Sequence, residues 1–294
     1  MTATATRPVD AGATAPGPVE PAHRPGGARR GPGRIPAGIV LAAGVLGIVL
    51  LWALLPGLFA PHDAYATVAG GLQPPSVEHL FGTDANGRDL FSRVVLGARE
   101  SLAGALVAVT VGLAVGTFLG VVAGSLGGFV EDGVMRVVDV LLAIPGLLLA
   151  LTVVILLGPG TVNAALAVGI GAVAGFARLV RSEVVQVRGT EYVEAAYGSG
   201  GRFGAVLWRH VLRNSLRPVV ALAALQFGTA ILALSTLGFL GYGVTPPDPE
   251  WGMIIAQGRD LLGAAWWVTT LPGLVIVAVV LSANRLSRTL GSER

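Results

Sequence analysis

The chain has 294 residues, 53% of them hydrophobic and only 13% charged, with a formal net charge of +3 and a mean hydropathy of +0.73. A soluble domain carries about 25% charged residues, so a water-soluble globule is excluded. All 20 basic residues are Arg and Cys is absent, which removes disulfides, thiolate nucleophiles, the P-loop lysine that grips nucleotide phosphates and any Schiff-base lysine; ATP hydrolysis serving this protein must take place on another chain.

Residues 1–38 hold seven Pro, seven Gly, eight Ala and five Arg with almost no large apolar side chain. Such a composition cannot bury enough surface to offset its ordering entropy, and a disordered tail is expected. Arg29-Arg30 imitates a twin-arginine signal and Ala64-Tyr65-Ala66 a signal-peptidase site. The apolar run between them exceeds a signal h-region of about 7–15 residues, so it is read as a retained anchor.

About 20 apolar residues at 1.5 Å rise cross a hydrocarbon core of about 30 Å. Six runs meet that yardstick: roughly 39–59, 101–126, 134–157, 161–180, 218–241 and 268–287. The second carries Gly112, Gly116, Gly120, Gly124 and Gly128, a smooth stripe that lets a neighbouring backbone approach closely and places this helix inside a bundle. Pro145 should kink the third run, near whose start Arg136 and Asp139 stand three apart, in position to pair. In the fourth, Gly169-Ile170-Gly171-Ala172-Val173-Ala174 matches a dinucleotide fingerprint without the strand that fingerprint needs, and is read as chance.

Six spans put both ends on one side. With the amino terminus in the cytoplasm, sixteen Arg fall inside and four (Arg88, Arg93, Arg99, Arg259) outside, as the positive-inside rule requires. Trp266 and Trp267 then sit at the outer mouth of the last span, where amphipathic rings favour the interface.

Ion-coupled carriers and proton pumps need an ionisable group at mid-membrane depth. Apart from Asp139 near one end, the six runs hold none centrally. The four His (His23, His62, His79, His210) lie outside the runs without metal-ligand spacing, and no nucleophile–base pair or HExxH helix appears. A passive path or an externally powered one remains.

The stretch between the fourth and fifth runs is long, basic and patterned: EYVEAAYGSGGRFGAVLWRHVLRNSLRP, residues 191–218. Glu194-Ala195-Ala196, then Gly200, then His210-Val211-Leu212-Arg213-Asn214 resemble the EAA loop of ATP-binding-cassette (ABC) importer permeases. Residues 80–102, LFGTDANGRDLFSRVVLGARESL, and 239–252, FLGYGVTPPDPEWG, are similar to the outer segment and last external loop of one subfamily, the C-type permease subunit of dipeptide, oligopeptide and nickel importers. The resemblance covers roughly residues 38–290. Arg213 stands where that pattern has Pro, Gly198 and Gly201 flank Gly200, and Ser287-Arg288 and Gly291-Ser292 replace the usual acidic pattern after Asn284. Interior glycines cost about 1 kcal/mol each in a helix, which predicts a short coupling helix or one ordered by its partner.

The resemblance implies an all-α integral membrane protein of the type I importer fold: six transmembrane helices with a cytoplasmic coupling helix between the fourth and fifth. The permease domain would span 39–290, with its coupling loop at about 188–217 and a short cytoplasmic tail at 291–294. It implies no ATPase site and no cofactor or metal on this chain, ATP and Mg being used by partner subunits. The implied partners are a homologous second permease, ABC ATPase subunits, an extracytoplasmic substrate-binding protein and the lipid of a bacterial inner membrane, with no nucleic acid. Coupling falls to Glu191, Glu194, Ala195, Ala196, Gly200, His210, Leu212 and Asn214, with Glu194 as a solvated loop charge and His210 as a positional helix residue kept as plainer readings. Gly82, Thr83, Asp84, Gly87, Arg88 and Asp89 mark the outer segment, either a local polar network that orients the second span or a substrate contact. Pro246, Pro247, Trp251 and Gly252 mark the outer loop, its prolines (with Pro249) stiffening a gate or simply setting shape. Gln226, Thr229, Ser235 and Thr236 either line the path or bond between helices. Peptides or nickel-type complexes are the implied cargo; an ATP-independent channel or structural membrane component is the alternative.

Overall fold

The computed structural model describes residues 37–291. The tail expected over 1–38, but for its last two residues, and the end at 292–294 lie outside the described residues.

The order of elements is α1 (Ala37–Leu54), α2 (Pro56–Phe59), α3 (Leu90–Leu126), α4 (Gly128–Ala143), α5 (Gly146–Leu157), α6 (Thr161–Arg188), α7 (Glu191–Gly198), α8 (Phe203–Val206), a π-helical turn Leu207–Leu212, α9 (Arg213–Phe239), α10 (Trp251–Gly258), a 3-10 turn Arg259–Leu261 and α11 (Trp267–Gly291). Among the described residues, five helices are long and apolar enough to cross a membrane, or six if the bent pair α4–α5 counts as one span. The third run is interrupted at Pro145, as expected, and by a sharper bend than a kink. α4 and α5 meet at 95°, because Pro145 cannot donate to the helical ladder and Ile144 before it turns extended.

The second run also proves longer than expected: α3 begins at Leu90 and has 37 residues, about 55 Å at the helical rise, so its first turns extend beyond a hydrocarbon core. Asp89 starts it, its carboxylate accepting from the Ser92 N–H at 2.8 Å.

α3 packs along α6 through the glycine stripe. A Cβ on Gly116 would lie 2.6 Å from the Val173 carbonyl oxygen, one on Gly120 2.6 Å from that of Ala177, and one on Gly124 2.9 Å from the Val184 Cβ. Gly169 returns the favour, with the Ala108 carbonyl 2.9 Å from its would-be Cβ. Gly128 does not belong to this stripe: with Gly127 it takes positive φ (55° and 70°) and forms the break before α4. The fingerprint at 169–174 is helix interior in α6, as the chance reading expected.

Two ends of the bundle result. At one, Arg188 caps the last turn of α3, donating to the Gly124 and Ser125 carbonyls at 2.8 and 2.7 Å, and Arg181 pairs with Glu131. Asp139 pairs with Arg178 of α6 at 2.6 Å and not with Arg136; α4 packs against α6, so the partner comes from the neighbouring helix. The start of α1 and the end of α11 meet at this end, where a Cβ on Gly38 would run into the Arg285 guanidinium. At the other end lie residues 60–89, the start of α3 and α10. Trp267 is buried there and donates to the Thr83 carbonyl at 3.4 Å, so only Trp266 keeps the exposed interfacial place expected of both. Exposed apolar faces such as Leu41, Leu58, Val140, Leu156 and Leu281 complete the outside of the bundle.

Candidate functional site

α7 opens at Thr190, whose extended backbone precedes two acidic residues of the first turn, Glu191 and Glu194, placed where the positive end of the helix dipole favours them. Val193 is fully buried and Ala196 packs against the core, while Glu191, Glu194 and Ala195 are exposed. The helix is short, as the glycines predicted, but they close it rather than fray it. Gly200 takes φ +84° and donates to the Tyr197 carbonyl at 2.9 Å; Gly201 donates to that of Ala196 at 3.0 Å. These are the two bonds of a Schellman cap. A side chain at 201 would sit 2.6 Å from the Ala196 carbonyl, so Gly201 belongs to the coupling loop although the pattern pointed to Gly200.

The π-turn that follows carries His210 and half-buried Leu212 and runs into α9; one wider turn of this kind often marks a functional position. Asn214 donates to the His210 carbonyl at 2.7 Å and to the Tyr192 hydroxyl at 3.0 Å, and the His210 and Tyr192 rings lie 6.4 Å apart. His210 and Asn214 are thus brought against α7 through Tyr192, which pattern reading missed because a tyrosine inside EYVEAA carries no signal of its own. Tyr192, Tyr197, Phe203 and Trp208 are exposed along this loop, Trp208 most of all at 75%.

α9 leads from this loop to a cavity of about 380 Å³ between α3, α5, α6 and α9. Gln226, Thr229 and Thr236 line it among mostly apolar residues. Thr229 and Thr236 bond to carbonyls of their own helix, so they do not tie helices together. Ser235 faces away, toward Ile255 and Ile276.

The two stretches expected outside come together at the opposite end. Asp84 accepts from the Arg88 side chain at 2.7 Å and from the backbone of Asn86 and Arg88. Its second cationic neighbour, Arg93, donates to the Ala64 and Pro247 carbonyls. Asp84 and Arg88 thus form a local polar network with Arg93, whereas Asp89 bonds to His79 and Ser92 instead. Gly82 and Gly87 take φ +74° and +73° with a carbonyl pressed against each α-carbon, and Thr83 bonds to Gly70 and Gln73. Pro246 and Pro247 are exposed and joined by a cis bond. Trp251 is fully buried and donates to the Val94 carbonyl at 2.9 Å, and Gly252 lets α10 press on the Ser235 backbone.

Two groups escaped the sequence reading. Glu250 is buried, caps α10 by accepting from the Gly252 and Met253 N–H at 2.9 and 3.0 Å, and meets Ser101 of α3 at 3.4 Å. Burial raises its pKa above the carboxylate range, against the lowering by those hydrogen bonds. His62 and His79 lack metal-ligand spacing in the chain, yet the fold sets both beside Asp89.

The family described as binding-protein-dependent transport system inner membrane component matches residues 116–291. The chain is 42% identical over 248 residues to the dipeptide transport system permease protein of Alkalihalophilus pseudofirmus, covering 82% of each. It is 39% identical over 247 residues to the probable D,D-dipeptide transport system permease protein of Escherichia coli, covering 83% of each. The glutathione transport system permease protein of Pectobacterium atrosepticum is 37% identical over 254 residues, covering 84% of this chain and 83% of that one. Among solved structures, a chain of the MetNI methionine ABC transporter in an inward-facing form superposes with a TM-score of 0.55 at 20% identity, covering 67% of this chain and 96% of that one. At that identity the likeness speaks for the fold.

Proposed function

Because the chain belongs to the family of binding-protein-dependent transport system inner membrane components and is a permease subunit of an ABC importer, we propose that it carries short peptides through a path of which it forms one half. The relatives named for dipeptide, D,D-dipeptide and glutathione transport support the peptide class; nickel-type complexes gain no support from them. A homologous second permease supplies the other half, and an extracytoplasmic binding protein delivers the cargo. Separate ATPase subunits hold ATP and Mg, and this chain performs no chemistry of its own.

The end of the bundle bearing α7 faces the cytoplasm, with both termini, and the end bearing residues 60–89 and α10 faces outward. The Arg bias supports that orientation. The observation that carries the mechanism is the bond from Asn214 of α9 to Tyr192 of α7. An ATPase seated on the exposed face of α7 moves that helix as it closes. The Tyr192–Asn214–His210 contact passes the motion to α9, which presents Gln226, Thr229 and Thr236 to the cavity. Displacing α9 changes which side reaches the cavity, and alternating access follows as a rigid-body event.

Glu194→Arg tests this. Glu194 is exposed, so the variant inserts into the membrane as the wild type does, while the reversed charge at the seat abolishes ATP-driven uptake of a labelled dipeptide by the assembled transporter. Wild-type uptake by the variant would contradict the coupling role.

A further inference from the structure

Residues 60–89 close over the start of α3 and set three metal-ligating side chains together that lie far apart in the chain. The candidate ligand atoms of His62, His79 and Asp89 all fall within 4.8 Å of one another. His79 Nδ1 lies 2.9 Å from Asp89 Oδ1, and His62 Nδ1 lies 3.8 Å from the same oxygen. A tetrahedral zinc ion with bonds of about 2.0–2.1 Å has ligand–ligand edges of about 3.3 Å, a value these two separations bracket. We propose that His62, His79 and Asp89 form a binding site for a divalent transition-metal ion of the zinc class, resident in the permease and distinct from its cargo.

The surroundings favour this over an ordinary histidine–carboxylate pair. Such a pair needs one imidazole, and His79 already supplies it. His62 adds a second whose Nδ1 is shut off from solvent, aimed at Asp89 and without a hydrogen-bond partner, an arrangement that costs free energy unless something accepts its lone pair. The ligands are also held by atoms that would not bind the ion. Asp89 Oδ2 is engaged by the Ser92 backbone and hydroxyl at 2.8 and 2.7 Å, which leaves Oδ1 toward the rings. The same Ser92 hydroxyl accepts from the His62 backbone N–H at 3.2 Å, and the His79 N–H is held by Ser76. Supporting bonds of this kind fix ligand orientation in metal sites. Two imidazoles and one carboxylate suit zinc and its borderline neighbours and disfavour Mg and Ca, which take oxygen. The rings stand 5.0 Å apart, and the His62 side chain is 26% exposed, which gives an ion a way in and leaves the fourth position to water. Bound there, the ion would tie His62, just after α2, to His79 farther along the 60–89 segment and to Asp89, the residue before α3.

The test uses the full-length chain purified in detergent with its tag removed, in a His23→Ala background so that the tail contributes no imidazole. Titration with Co(II) should give the intense visible bands of a tetrahedral site at a single equivalent, Zn(II) should displace them, and Zn(II) should raise the thermal midpoint. His62→Ala, which removes a side chain only partly enclosed by the fold, should keep the metal-free midpoint but weaken binding at least about tenfold and abolish the zinc-induced rise. Wild-type protein that shows neither tetrahedral bands nor a zinc-induced rise overturns the site, as does a His62→Ala variant that binds as tightly as wild type.

Discussion

Glu250 shows how much rests on single side chains in this bundle. Its carboxyl closes the first turn of α10, meets Ser101 of α3 and sits so close to Gly238 that a Cβ there would collide with it. Burial holds its proton more tightly in the folded than in the unfolded chain, so its stabilising contribution is complete below the ordinary carboxylate range and falls away as pH rises through the raised value. The thermal midpoint of the wild type should therefore decline over that rise. Glu250→Gln, which preserves the acceptor oxygen and removes the titration, should flatten the decline; parallel profiles for the two proteins would contradict this reading. Nothing in the sequence marks Glu250 as buried, because Ser101 of α3 and Gly238 of α9, which close over it, reach it only through the fold. Asp84 and Arg88, in contrast, stand four apart and pair as that spacing suggests. His62 and His79 carry no metal-ligand spacing in the chain, because the loop that gathers them beside Asp89 has no regular structure to set a period.

At the scale of the element, the α3–α6 pair is the most constrained contact. Backbone meets backbone along Gly112, Gly116, Gly120 and Gly124, so a side chain there must push two long helices apart. Gly116→Val should lower stability by about 1–3 kcal/mol through overpacking, read as a fall in the thermal midpoint of the purified permease. Gly175→Ala on α6, where nothing lies within 4 Å of the added carbon, should be tolerated; equal losses in the two variants would show that the stripe has no special packing role. Four of the five glycines could be read from their period alone. Gly128 could not, because a period of four says nothing about where the helix stops, and the stop depends on two successive residues at positive φ. The bend at Pro145 was legible as an interruption; its size of 95° was not, since a proline removes a hydrogen bond without dictating which way the chain then turns. In α7 the glycines were legible as helix-weakening, and their second use as a Schellman cap appears only once the carbonyls they close are in place.

For the whole molecule, the proposed coupling joins the two patterned ends and the cavity into one mechanical unit. Composition excluded a soluble protein and a self-powered one, and the six apolar runs foreshadowed the bundle. What composition could not supply is the pairing of residues 80–102 with 239–252 at one end, or the Tyr192–Asn214 link that joins α7 to the cavity-lining helix at the other. Both depend on contacts between distant segments, and only the resemblance to importer permeases grouped those stretches beforehand. The central claim is that α7 is the seat of a separate ATPase subunit whose motion it hands to α9. The chain has no Cys, so Ala195→Cys, on the exposed face of α7, introduces a unique thiol. Short-span cross-linking of this variant in the assembled, uptake-competent transporter should capture an ATPase subunit; a transporter that takes up dipeptide normally yet yields no such adduct would contradict the account.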